Sequence, residues 1–115
     1  MKDFKHITTD ISAGIKEWRT TQPDVQAAFA TLAKTAMVDG ALDAKTKEFI
    51  ALAIGVAARC DGCLGFHTQA LARMGASREE VAETLSVAVY MGGGPSLMYA
   101  AEAMTAFLQA TDISA

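Results

Sequence analysis

Apolar residues recur along the chain at intervals of three and four, the spacing that gathers them on one face of a helix. Asp10 is a suitable helix N-cap, and Ile11, Ile15 and Trp18 form the first stripe behind it. Pro23 suits a first helical turn, and Val25, Phe29 and Leu32 carry a second stripe that stops near Gly40. Asp43 caps a third element with Phe49, Leu52, Ala53 and Val56 inward. A fourth runs from about Cys60 to Met74, with Cys63, His67, Leu71 and Met74 close to one face and Gly75 as its stop. Ser77 and Glu80 form a capping-box pattern ahead of Val81, Leu85, Ala88 and Val89. Gly92-Gly93-Gly94 breaks that helix, and Pro95 opens a last one whose inward stripe reads Leu97, Ala101, Met104 and Leu108. No alternating strand pattern competes. The pattern predicts an all-α fold of about six helices.

Composition narrows the picture. The length, 115 residues, is that of a single domain spanning 1–115. Alanine occupies 23 positions, proline two and asparagine none, which favours helix because alanine loses no side-chain entropy there. Ten basic residues against thirteen acidic ones leave a net charge of −3 with no basic block, which excludes an electrostatically driven nucleic-acid binder. The longest apolar run, Phe49 to Ala58, is too short for a membrane span, and the segment after Met1 has no apolar core of the signal-peptide kind. The expected location is the cytoplasm, with no nucleic-acid or membrane partner. Half of the chain is hydrophobic, more than one small core hides, so apolar faces are expected to form contacts between subunits.

A reducing cytosol does not favour structural disulfides, and the only two cysteines sit three residues apart in Cys60-Asp61-Gly62-Cys63. Residues at that spacing are helical neighbours within disulfide reach, yet the loop they close is too short to stabilise much by chain entropy. A bond between them therefore points to redox chemistry. At the start of a helix, free amides and the positive dipole end also favour a thiolate. Cys63 and His67 are four apart, one turn along the same face, so the imidazole is a suitable acceptor for the Cys63 proton. Cys60, seven from His67, is the second sulfur. A group that holds the His67 tautomer is still needed, and spacing alone does not choose among Glu48, Asp61, Glu79 and Glu83.

Plainer readings exist for each residue. A lone histidine on an apolar stripe is usually a hydrogen-bonded core residue, Glu48 beside Lys45 and Lys47 reads as a solvated helix end, and free cysteines are often small buried hydrophobes. A zinc site lacks the second ligand pair that structural sites usually draw on. Gly92-Gly93-Gly94-Pro95 has no phosphate-loop lysine and reads as a tight interhelical turn.

Glu48, Cys60, Cys63 and His67 together follow the spacing E-x11-C-x2-C-x3-H. This resembles the signature of the alkylhydroperoxidase-D-like proteins of the carboxymuconolactone decarboxylase superfamily. The segment Tyr90-Met91-Gly92-Gly93-Gly94-Pro95 is also similar to that superfamily's shared core, and the likeness covers about residues 25–108. The resemblance implies a helical fold assembled into homotrimers or homohexamers. It also implies a thiol-dependent peroxidase without a cofactor or metal, acting on a hydroperoxide and restored by a lipoyl- or thioredoxin-type dithiol reductant. By the family's pattern Cys63 is the peroxidatic cysteine, Cys60 the resolving one, His67 the proton acceptor and Glu48 the carboxylate behind it. Gly62 stands where the best-characterised branch has histidine. The same residues would also serve a disulfide reductase or thiol-exchange protein, and a non-enzymatic oligomeric redox sensor is the reading from a different class.

Overall fold

A computed structural model describes residues 1–111, which form six helices and, among the described residues, no strand. They are α1 (Phe4–Arg19), α2 (Pro23–Met37), α3 (Ala44–Ala57), α4 (Asp61–Arg73), α5 (Arg78–Gly92) and α6 (Gly94–Thr111). The all-α expectation holds, and most of the predicted caps do as well. The Asp43 carboxylate accepts the Thr46 amide at 2.7 Å, and the Thr46 side chain and then this amide hold its carboxyl below the ordinary value. Ser77 and Glu80 exchange the two bonds of a capping box. Gly93, at φ +74, makes the break before α6.

Helices α3, α4, α5 and α6 pack on one another around Leu52, Val56, Leu64, Leu71, Val81, Leu85, Ala103 and Phe107. Small side chains let α6 lie close: Ala100, Ala103 and Ala106 are its buried positions along with Ser96 and Phe107. This corrects the expected stripe. Leu97, Ala101 and Leu108 are exposed and Met104 is half-buried, because the alanine-rich face makes the closer helix contact and the large residues point away.

A second correction concerns α1. It begins at Phe4, with Asp3 rather than Asp10 as its cap, the carboxylate accepting the Lys5 and His6 amides at 3.0 and 3.2 Å. Its inward face is Phe4, Thr8 and the half-buried Ile11, whereas Ile15 and Trp18 are exposed. Glycines in α4 explain the choice. A β-carbon at Gly62 would come within 2.6 Å of Ile11 Cδ1, and one at Gly65 would collide with the Thr8 methyl. The two glycines form a shallow track into which α1 settles, and Ile15 and Trp18 run on beyond it.

The third departure is larger. Helix α2 has no buried residue: Val25, Phe29 and Leu32 are 51, 63 and 62% exposed. Among the described helices it meets α1 and α3, and Lys47 Nζ caps its last turn by donating to the carbonyls of Ala36 and Val38. The helix stands off the body. The radius of gyration is accordingly 14.5 Å, against about 13 Å for a compact chain of this length.

Candidate functional site

The turn from α3 into α4 brings the chemistry together. Helix α3 closes with the Arg59 amide on the Val56 carbonyl at 3.1 Å and the Cys60 amide on the Gly55 carbonyl at 3.0 Å, the paired bonds of a Schellman ending. Its left-handed position, normally glycine, is Arg59 at φ +56. The ending delivers Cys60 directly to the N-cap of α4, where its sulfur accepts the Cys63 amide at 3.2 Å. Cys60 and Cys63 are joined by a disulfide, with α-carbons 5.2 Å apart.

Helices α3 and α4 then run antiparallel at very close approach. A β-carbon on Gly55 would lie 3.0 Å from that of Cys63, so glycine is what lets the first turn of α4 rest on α3. One turn further along α4 and two turns back along α3, His67 meets Glu48, with Nδ1 2.5 Å from Oε1. Glu48 is only 7% exposed, whereas the His67 side chain keeps 31% of its surface. The plainer reading of Glu48 as a solvated helix end is thereby excluded. An ionised carboxylate only accepts, so Nδ1 carries the ring proton and the Nε2 lone pair is left free. The histidine has a fixed tautomer and a buried countercharge, and it stands one turn from Cys63.

All four residues singled out in the sequence lie in this corner, Cys60 and Cys63 bonded to each other and His67 and Glu48 bonded to each other; Gly55 sets the distance between the helices. Asp61, a competing candidate for His67, faces elsewhere and pairs with Lys2 at 2.9 Å. Glu79 and Glu83 lie on α5. Two structural features around this corner carry no signal in the sequence. Gly55 reads as a helix-weakening residue in an apolar run, and only the packing shows what it faces. Lys2 lies 59 positions from Asp61 and carries no motif. A recess of about 630 Å³ between α1, α4 and α6 is lined by Lys5, Thr8, Gln69 and Arg73 among others and includes none of the four residues. Among the described residues, no three His, Cys, Asp or Glu side chains gather as a metal site, and no helix is long and apolar enough to cross a membrane.

A sequence profile of the Carboxymuconolactone decarboxylase family matches residues 23–106. The chain belongs to the carboxymuconolactone decarboxylase family. Within that family it is similar to a crystal structure of an apo protein from Legionella pneumophila, with a TM-score of 0.93 and 54% identity over 95% of this chain and 97% of that one. A family structure from Thermotoga maritima, for which involvement in antioxidative response has been raised as a possibility, superposes with a TM-score of 0.73 and 26% identity over 87% of this chain and 91% of that one. An uncharacterized protein of Cupriavidus necator is 41% identical over 105 residues, 91% of this chain and 93% of its own length. Carboxymuconolactone decarboxylase family membership thus agrees with the resemblance carried by Glu48, Cys60, Cys63 and His67.

Proposed function

We propose that this member of the family is a thiol-dependent hydroperoxide reductase. The observation that carries the reading is the Glu48–His67 contact at 2.5 Å, one turn along α4 from a bonded cysteine pair. A buried structural pair needs no oriented base beside it, whereas a peroxidatic thiol does.

In the reduced protein His67 takes the Cys63 proton through Nε2, and Glu48 stabilises the imidazolium that results. The thiolate attacks one oxygen of the hydroperoxide. The O–O bond breaks, Cys63 becomes a sulfenic acid, and the leaving alkoxide receives a proton to depart as an alcohol, or as water from hydrogen peroxide. The Cys60 thiol then attacks the sulfenic sulfur, forming the disulfide and releasing water. A dithiol of lipoyl or thioredoxin type restores the pair. Its thiolate attacks Cys60 and expels Cys63, the better leaving group because its charge is stabilised, and the second thiol of the reductant resolves the mixed disulfide. No prosthetic group enters the cycle. We place this activity in the cytoplasm, in a homotrimer or homohexamer whose subunit is a single domain, residues 1–115, with its core at about residues 25–108.

The test is a screen of hydrogen peroxide and organic hydroperoxides against dithiol reductants, following peroxide loss and the Cys60–Cys63 oxidation state together. Continuous turnover that requires both cysteines is the expected result. A single stoichiometric oxidation with no turnover under any reductant would identify a redox sensor. Reduction of disulfide substrates without peroxide consumption would identify a thiol-exchange protein.

A further inference from the structure

Lys2 precedes α1, and one side chain fixes the backbone on both sides of it. Gln109 Nε2 donates to the Lys2 carbonyl at 2.8 Å, and Gln109 Oε1 accepts the Phe4 amide at 2.9 Å. Held there, the Lys2 ammonium reaches Oδ2 of Asp61 at 2.9 Å and Oε1 of Glu102 at 2.8 Å, and it sits 5.4 Å from the centre of the Tyr99 ring. The bonds to Glu102 and then Asp61 raise its pKa well above that of an ordinary lysine, so it is charged throughout the working range.

Asp61 is the residue directly after Cys60 and opens α4. Its second oxygen, Oδ1, is buried without a hydrogen-bond partner. One half of this carboxylate is therefore uncompensated, and Lys2 supplies the compensation for the other. A carboxylate there suits the helix dipole, but on the residue next to Cys60 its charge opposes a thiolate, because like charges disfavour ionisation. Glu102 adds a second negative charge to the same cluster. His67 with Glu48 lies between α3 and α4, Arg59 directly precedes Cys60 in the chain, and from α1 Ile11 lies against Gly62.

We propose that Lys2 is a positioning residue that sets the reduction potential of the Cys60–Cys63 couple by offsetting part of the negative charge of Asp61 and Glu102. The inference rests on the proposed cycling of the pair, and it is independent of peroxide being the oxidant. The relevant equilibrium is with glutathione. The protein disulfide and two glutathione thiols give two protein thiols and one glutathione disulfide, with two electrons and two protons transferred to the protein. Any group that stabilises a protein thiolate favours the reduced side and raises the potential.

The experiment equilibrates wild-type and variant proteins in glutathione redox buffers and measures the fraction of dithiol by mass shift after alkylation. Lys2→Met should move the constant about tenfold toward the disulfide, close to 30 mV more negative. Glu102→Gln should move it in the opposite direction. Lys2→Arg should stay near wild type, and adding Asp61→Asn to Lys2→Met should bring the constant back. A merely structural Lys2 would give Lys2→Met and Glu102→Gln the same sign, since each breaks one bridge, and that result overturns the proposal. So does an unchanged constant in Lys2→Met when the wild type equilibrates normally. If Lys2→Met does not fold, the sign of Glu102→Gln decides. Failure of the wild type itself to equilibrate overturns the redox reading of the pair and this inference with it.

Discussion

Glu48 stands one position before ten consecutive residues without a charge, and it is buried. A carboxylate in that setting is tolerated only when it is paired, and its one partner among the described hydrogen bonds is His67. Glu48→Gln keeps the size and an acceptor but removes the charge that favours imidazolium. Oxidation of Cys63 by peroxide should slow by about tenfold, roughly 1.4 kcal/mol, as read by stopped-flow thiol loss, while the melting temperature changes little. The two sulfurs are to be separated in the same way. Helical spacing gives Cys63 the imidazole, whereas the structure gives the Cys60 sulfur the Cys63 amide at 3.2 Å, so two stabilising effects fall on different atoms. The oriented base should win. Cys63→Ser should abolish reaction with peroxide, and Cys60→Ser should accumulate a sulfenic acid on Cys63 that over-oxidises in excess peroxide. Trapping that acid and locating it by mass spectrometry is the check, and an adduct on Cys60 would reverse the roles. At this scale much was legible in the sequence, since i,i+4 spacing is a local property that fixes Cys63 beside His67. The Glu48 contact is not local, and only the resemblance to a family singled it out before the structure placed it.

Between residue and molecule, the turn from α3 to α4 shows how far caps can be read. Asp43 and the Ser77–Glu80 pair announced their helices because a capping side chain acts within its own turn. Asp10 misled for the complementary reason. It has the right chemistry, but Asp3 has it too, and α1 starts where Phe4 can be buried and Gln109 can accept its amide. The end of α3 carries no such announcement, because its left-handed position is filled by Arg59 rather than by glycine. A side chain there costs about 1 kcal/mol in backbone strain. Arg59→Gly should therefore raise stability by up to about 1 kcal/mol, measured by denaturant unfolding of the oxidised protein. A loss of stability would show that the arginine makes a compensating contact. The inward stripes of α1 and α6 differ from the periodic expectation for one reason: the spacing points to large apolar residues, whereas glycine and alanine allow helices closer together and bury more backbone.

For the molecule as a whole, the surface tells most. It exposes 7136 Å², against roughly 6,000 Å² for a compact protein of this mass. Much of the excess is apolar: Val25, Phe29 and Leu32 on α2, Val87, Tyr90 and Met91 on α5, and Leu97 and Met98 on α6. Patches of this kind mark contacts between subunits. Light scattering at micromolar concentration should report a trimer or hexamer, and Phe29→Asp should shift it to smaller species; a wild-type monomer would contradict both. Helix periodicity did locate the α2 stripe, but a period says only that a face is apolar and not whose surface covers it. That distinction has a consequence in time as well as in space. A helix of fifteen residues that buries nothing of its own within one subunit is close to the limit of what holds together in water. Its backbone amides should exchange with deuterium almost freely in dilute solution and slow down as concentration rises, while those of α4 remain protected throughout. In the assembly proposed above, the rate at which α2 loses its protons becomes a clock for how long neighbouring chains stay together.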